Sequence, residues 1–314
     1  MFADNPLCKV LGIQYPIIQG ALAWISDGPF AAAVSNSGAL GVIGPGMRPA
    51  SEIIEEIEKA RALTDKPFGV NVVLWPEQME AHLKALFDAK VEIITTAISD
   101  PGNIIEMAHE HGALMLCLVG SVRHAQRLVA EGADVVIACS NEAGGHTGEI
   151  GGMVLVPAIA DAVKVPVVAS GGIADARGFA AALALGASGV QVGTRFVASK
   201  ECPCHDNIKQ AILHATEEDT LMTDHLSGSP MRGLRNRLLE EWARKEATAT
   251  KQERRQHFKG RYKAAVYEGD TEMGSIPAGQ VVGRIREIKS VNEIITDLVS
   301  GLEPVLDRLQ RELS

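Results

Sequence analysis

The sequence predicts an α/β protein, a (βα)8 TIM barrel with a mainly helical second domain after strand eight. Three observations predict it. Short runs rich in Val and Ile alternate with longer segments of helical spacing, the rhythm of repeated βα units and a parallel sheet. The eight runs fall within about 180 residues with no strong GxGxxG fingerprint after the first, which favours a closed barrel over a doubly wound open sheet. Unusual polar and glycine residues collect at the carboxyl ends of those runs, where a barrel carries its site.

In chain order the strands are expected at Tyr15 to Gly20, Ala39 to Gly44, Pro67 to Val73, Val91 to Ile98, Leu114 to Gly120, Asp134 to Ser140, Pro166 to Gly172 and Gly189 to Phe196. Helices fill the gaps. "SEIIEEIEKARAL" begins with Ser51 as a cap, and "SVRHAQRLVAEG" ends on Gly132 as a C-cap residue would. The last stretch, "SVNEIITDLVSGLEPVLDRLQREL" from Ser290 to Leu313, reads as amphipathic helix. The expected organisation is therefore a barrel over 1–200, a helical lid over 201–272, and a return to the barrel over 273–314.

Composition bounds the function. The 314 residues hold one large or two ordinary domains, and 46% hydrophobic content is ample for a sizeable core. Lys plus Arg number 30 against 39 Asp plus Glu, a net charge of -9, so no nucleic-acid partner is expected. The one basic run, "KQERRQHFKGRYK" from Lys251 to Lys263, reads as a solvated helical face. The amino terminus carries no charged segment followed by an apolar run, and no window reaches the roughly 18 apolar residues that span a bilayer. A cytoplasmic protein without a membrane partner is expected. Five cysteines, an odd number lying mostly in apolar runs, point to reduced core thiols. "CPCH", Cys202 to His205, lacks the second ligand pair of a structural zinc site, so no metal is expected.

The strand ends carry the chemistry. Gln19 and Gly20 end strand one, Asn71 lies in strand three, "EAGGH" follows strand six, "SGG" at 170–172 ends strand seven, and "GTR" at 193–195 ends strand eight. Glycine N–H groups at two adjacent strand ends, beside a short helix amino terminus, suit a phosphate, so a phosphorylated ligand is inferred. "EAGGHTGEIGG" places His146 among five glycines. Alone that segment could be a surface turn; at the mouth of a barrel, an imidazole titrating near neutrality has a catalytic use.

Taken together, "YPIIQGALAWISDGPFAAAVSNSGALGVIG", "TDKPFGVNVVL", "EAGGHTGE", "VVASGGIADARGFAAALALGASGVQVGTRFVASKE" and "MGSIPAGQVVG" resemble the nitronate monooxygenase superfamily of FMN-dependent TIM barrels. Within it they are most similar to the flavin-dependent enoyl-acyl-carrier-protein reductases. The resemblance runs from about Gln14 to Gly283. It implies that Gly20, Ala21 and Leu22 lie along the isoalloxazine ring, that Asn71 contacts the flavin, and that Gly145 and His146 border the catalytic face. Ser170, Gly171, Gly172, Gly193 and Thr194 would hold the FMN phosphate, and Gln191 is counted with the cofactor-binding residues. Gly274 to Gly283 would reach back to the flavin.

The implied chemistry has two half-reactions. NADH or NADPH reduces FMN, and reduced FMN passes a hydride to the β carbon of a trans-2-enoyl thioester carried on acyl carrier protein or coenzyme A. His146 would then stabilise the developing enolate or supply the α-carbon proton. The chain departs from the enoyl-reductase pattern at Gly20 to Leu22, at Cys139 and Ser140, and at Ala97 to Ser99, where Ile98 would add bulk near the acyl pocket. Two other readings share the flavin: a nitronate monooxygenase, and a flavin-binding protein without turnover. Arg232, Arg235 and Arg237 in "MRGLRNR" are candidates for phosphate contacts or for surface ion pairs. A homodimer is compatible with all three readings.

Overall fold

The computed structural model describes residues 1–72, 76–97, 101–224 and 229–314. The eight expected barrel strands are present: β1 (Ile17–Gln19), β2 (Gly41–Ile43), β3 (Phe68–Val72), β4 (Ile93–Thr96), β5 (Leu114–Val119), β6 (Val135–Cys139), β8 (Val167–Ser170) and β9 (Gly189–Val192). A short β7 (Gly145–His146) interrupts the series, and β10 (Thr220–Thr223) and β11 (Met231–Leu234) follow it. The barrel strands pair in parallel in the order β1-β9-β8-β6-β5-β4-β3-β2. Closure comes from β1 and β2: the Gln19 N–H donates to Leu40 O at 2.9 Å, and the Leu40 N–H donates to Ile17 O at 2.9 Å. Val73 and Ile98, expected at strand ends, and Ser99, which follows the second of them, lie outside the described residues.

Strand period 2 separates two cores. Ile17, Ile43, Val70, Ile94, Cys117, Val136, Ala169 and Val190 face the surrounding helices within one large apolar cluster. Their neighbours Ile18, Val42, Ile93, Leu116, Val135, Ile137 and Val168 form a second cluster inside the barrel, together with Leu7, Cys8, Leu11 and Ile13. The helix Pro6–Leu11 thus plugs the amino-terminal end of the barrel. Asn5 caps that helix by accepting from the Cys8 N–H, and its Nδ2 donates to Ser188 O at 2.7 Å. With its floor filled by apolar side chains, the barrel is open to ligands only at the carboxyl ends of its strands.

Several local expectations change. The helix Ala50–Leu63 starts at Pro49, so Ser51 lies inside its first turn and caps nothing. Ser121 caps Val122–Ala130, whose end is followed by Gly132 at φ +109°. The final apolar stretch is two helices, Val291–Ser300 and Leu302–Glu312, divided at Gly301. Pro304 has no N–H to carry a continuous helix through the break.

The segment after β9 contains the helices Asp206–His214, Arg237–Ala243, Lys251–Phe258 and Arg261–Glu268. It also holds two strands that the helical reading did not contain. β10 pairs antiparallel with β11, and β11 pairs with β7, so a three-stranded sheet joins this segment to the loop after β6. Leu238, Leu239, Trp242 and Phe258 form a small third core of their own.

Candidate active site

Two residues beyond the apolar interior layer, at the next inward-facing position, the barrel turns polar. Asn71, Thr95, Ser170 and Gln191 alternate with the helix-facing Val70, Ile94, Ala169 and Val190, and so line the upper interior. They are paired to one another. Asn71 Nδ2 donates to the carbonyl and hydroxyl oxygens of Thr95 at 3.1 and 2.9 Å, and Gln191 Nε2 donates to Ser170 Oγ at 3.1 Å.

Gln19, fully buried at the end of β1, is an internal strut. Its amide oxygen accepts from the Val42 N–H at 3.1 Å, and its Nε2 donates to Ser26 Oγ at 2.9 Å and to Gly20 O. Ser26 Oγ in turn accepts from the Leu22 N–H at 3.0 Å, while the Gly20 N–H donates to Val192 O at 2.9 Å. Gly20, Ala21 and Leu22 are therefore held from both sides at the barrel mouth.

The ends of β8 and β9 form an open backbone concavity. Gly171 has φ +109°, and a Cβ there would lie 2.3 Å from Ser140 Oγ and 2.9 Å from the Ala143 nitrogen, so only glycine fits. A Cβ on Gly172 or Gly193 would meet nothing nearer than Glu142 at 3.7 Å or Leu22 at 3.8 Å. The N–H groups of Gly171, Gly172, Gly193 and Thr194 donate to no protein acceptor among the described residues. A concavity of unpaired N–H donors with no side chains in it fits a phosphate group. The Thr194 hydroxyl looks the other way and accepts from the Gly279 N–H at 3.0 Å.

That contact belongs to the return segment, which locks onto the glycine run after β6. The Gln280 N–H donates to Glu142 O at 3.0 Å, and a Cβ on Gly144 would lie 2.5 Å from the Ala278 carbonyl carbon. Gly144 is thus required by the return segment. Gly145, at φ +76°, leaves the mouth open, since a Cβ there would have only Pro277 within 4 Å.

His146 lies in β7 opposite Met231 of β11. Burial lowers its pKa below the ordinary imidazole value, and a hydrogen bond to the Pro230 backbone offsets this in part. The imidazole is neutral at pH 7: its one N–H donates to the Pro230 carbonyl, which leaves the other ring nitrogen as an acceptor. Glu142, four residues before it, is committed elsewhere: both its oxygens accept from the Gly152 N–H at 3.1 Å, at the start of the helix Gly152–Ala162. Cys139 hydrogen-bonds His146 O at 3.6 Å, and burial pushes its thiol up to about 11, so it is an inert protonated group.

The arginines of "MRGLRNR" divide. Arg232 is buried, its Nε donating to Asn141 O at 3.0 Å and its Nη1 to Thr220 Oγ1 at 3.1 Å, so it ties β10 and β11 to the loop after β6. Arg235 and Arg237 are surface ion-pair partners of Glu240 and Glu241. In "CPCH", the two thiols lie 3.5 Å apart and His205 caps the next helix. The β11 strand and Pro230, which hold His146, were not found from sequence; the only local signal was the apolar Met231 and Leu234 flanking Arg232 and Gly233.

The nitronate monooxygenase family matches residues 4–85 and 75–301 of the chain. Among solved structures, FabK from Thermotoga maritima superposes with a TM-score of 0.95 and 38% identity, covering 99% of each chain. A (3aS,4S,5R,7aS)-5-hydroxy-7a-methyl-1-oxo-octahydro-1H-indene-4-carboxyl-CoA dehydrogenase of Mycobacterium tuberculosis is 30% identical over 336 residues, 94% of this chain and 95% of that protein. A probable nitronate monooxygenase of Staphylococcus aureus (strain JH9) is 30% identical over 353 residues, 98% of this chain and 99% of that protein.

Proposed function

Because the chain belongs to the nitronate monooxygenase family and is a flavin-dependent oxidoreductase on a TIM barrel, we propose that it is an FMN- and NAD(P)H-dependent reductase of trans-2-enoyl thioesters. The observation that carries this reading is a neutral His146, oriented by the Pro230 carbonyl at the mouth of a barrel whose strand ends offer unpaired N–H groups. The similarity to FabK and to a dehydrogenase of a carboxyl-CoA compound supports a thioester substrate.

The residues present fit FMN. The N–H groups of Gly171, Gly172, Gly193 and Thr194 would hold its phosphate, Gly20 to Leu22 would flank the ring, and Asn71 and Gln191 would meet its polar edge from the upper layer of the barrel. When bound, FMN supplies the hydride relay between nicotinamide and the β carbon of the enoyl group. The protein does the rest. The free ring nitrogen of His146 takes up a proton from solvent and delivers it to the α carbon, while the Pro230 carbonyl supports the imidazolium that forms. Residues 201–272 act as a lid that keeps water from the mouth and completes the acyl site. Use of reduced nicotinamide and five free, buried thiols suit a cytoplasmic enzyme. Among the described residues no helix is long and apolar enough to cross a membrane.

A second reading, oxidation of alkyl nitronates, is favoured by the family match itself and uses the same flavin site and histidine. One experiment separates the two. The protein is mixed anaerobically with NADH or NADPH, flavin bleaching is followed, and crotonyl thioester is added. Bleaching and reoxidation support the reductase; no bleaching by either nucleotide, with oxygen uptake on an alkyl nitronate, overturns it.

A further inference from the structure

Two cations share one indole at the rim of the barrel mouth. Trp24, in the loop after β1, is half-buried and has φ +65°, a conformation rare for a bulky residue. Lys263 Nζ stands 4.2 Å from its ring centroid and the Arg48 guanidinium carbon 5.7 Å from it. Arg48 follows β2 and Lys263 belongs to the helix Arg261–Glu268, so three separate elements meet there. Arg48 Nη2 donates to Trp24 O at 3.1 Å and to the Tyr267 hydroxyl at 3.3 Å, and that hydroxyl donates to Trp24 O at 3.2 Å.

The charges are not neutralised locally. Among the described residues neither Arg48 nor Lys263 has a carboxylate within ion-pair distance. Arg48 is 8% exposed, yet among the described residues its Nη1 has no hydrogen-bond partner. The carboxylates that feel Arg48, Asp27 and Glu56, are already engaged: Asp27 accepts from the Phe30 N–H at 2.9 Å, and Glu56 accepts from Lys59 and from the Gly28 N–H, each at 2.7 Å. Two like charges on one ring repel, and a buried guanidinium N–H without an acceptor is costly. An anion beside them removes the repulsion, and one that reaches Nη1 supplies its missing acceptor. In a chain of net charge -9, this basic point is also the end of the one basic run, Lys251 to Lys263.

We propose that Arg48 and Lys263 form an anion subsite that takes the phosphate-bearing arm of a co-substrate. The proposal rests on the reductase reading, in which the acyl carrier and the nicotinamide dinucleotide each place a reactive end in the mouth and phosphates on a flexible arm that lies across the rim. The planar guanidinium fork suits phosphate oxygens, and the ammonium adds a point charge.

Lys263→Met is the first test, because that exposed side chain touches the rim through its charge and its loss leaves the fold intact. KM for either crotonyl-coenzyme A or the nicotinamide is expected to rise about tenfold, the loss of one charge-assisted contact, with kcat and Tm unchanged. The KM that moves identifies which co-substrate's arm is bound. KM for crotonyl N-acetylcysteamine thioester, which has no phosphate, stays constant, and Lys263→Arg restores the wild-type values. Calorimetric titration with inorganic pyrophosphate reads the subsite without turnover: binding is expected in the wild type and weakened in Lys263→Met and Arg48→Met. A protein that binds pyrophosphate in this way but is not bleached by nicotinamide keeps the subsite and loses the reductase reading. Unchanged KM values, an equal loss with the phosphate-free thioester, or pyrophosphate binding that ignores both substitutions overturns the subsite.

Discussion

His146 is a base whose proton the fold withholds. Burial favours the neutral imidazole, so the folded pKa lies below the unfolded value of about 6.5. The sign follows from linkage. Above about pH 6.5 both states are neutral and the term is silent; as the pH falls through the folded pKa, the unfolded chain binds the proton more readily and stability is lost. His146→Gln is expected to flatten this acid limb, seen as a smaller drop in Tm between pH 7 and pH 5 than the wild type shows. An equal drop in the two proteins would place the titrating group elsewhere. The same residue carries a kinetic prediction. His146→Ala leaves the phosphate concavity intact, so flavin content should stay near wild type while reoxidation of reduced flavin by crotonyl thioester slows roughly 100-fold or more. Flavin reduction by nicotinamide needs no proton at the thioester and should change far less. Stopped-flow traces of the two half-reactions check this, and reoxidation at the wild-type rate would make the histidine a structural residue.

At the scale of elements, the site depends on a sheet assembled from distant parts of the chain. β7 has two residues and cannot persist alone; β11 supplies its pairing partner and β10 completes the sheet. Arg232 fastens that sheet to the loop after β6 through Asn141 O and Thr220 Oγ1. Arg232→Met keeps the apolar stem but leaves the Asn141 carbonyl without its donor. The expected loss is about 1–3 kcal/mol in urea unfolding, with flavin retained and thioester reoxidation slowed because His146 is less well held. Unchanged stability and unchanged reoxidation would show that β11 stays in place without the arginine. Of these elements, sequence found the glycine run and the histidine, while β10 and β11 escaped it. A four-residue stretch such as "MRGL", with arginine and glycine at its centre, carries no alternation to read.

Across the whole molecule, all five cysteines are buried, four of them within the two apolar layers that the strand period separates. Burial pushes the Cys8 thiol up to about 11 and the Cys117 thiol up to about 12, alongside Cys139. The native protein is therefore expected to react slowly with an aromatic disulfide reagent at pH 8, and to release five equivalents once unfolded in guanidinium. Rapid reaction of several thiols in the native state would contradict the packing of both layers.

The sequence by itself determined the barrel, its eight strands and the glycines that open a backbone concavity at the ends of β8 and β9. These follow from local features: Val and Ile runs of strand length, helical spacing between them, and glycines where a Cβ has no room, as at Gly171. It also marked His146, because an imidazole among glycines stands out in one dimension. Only the tertiary structure decided what surrounds these residues. Gly144 is a glycine because of Ala278, Thr194 turns its hydroxyl toward Gly279, Gln19 braces the β1 end from within, and Arg48 and Lys263 meet on Trp24. Each is a contact between segments that local pattern does not join. Backbone propensity and side-chain period act over a few residues, whereas the partners of a polar group are chosen by packing, which no local pattern encodes.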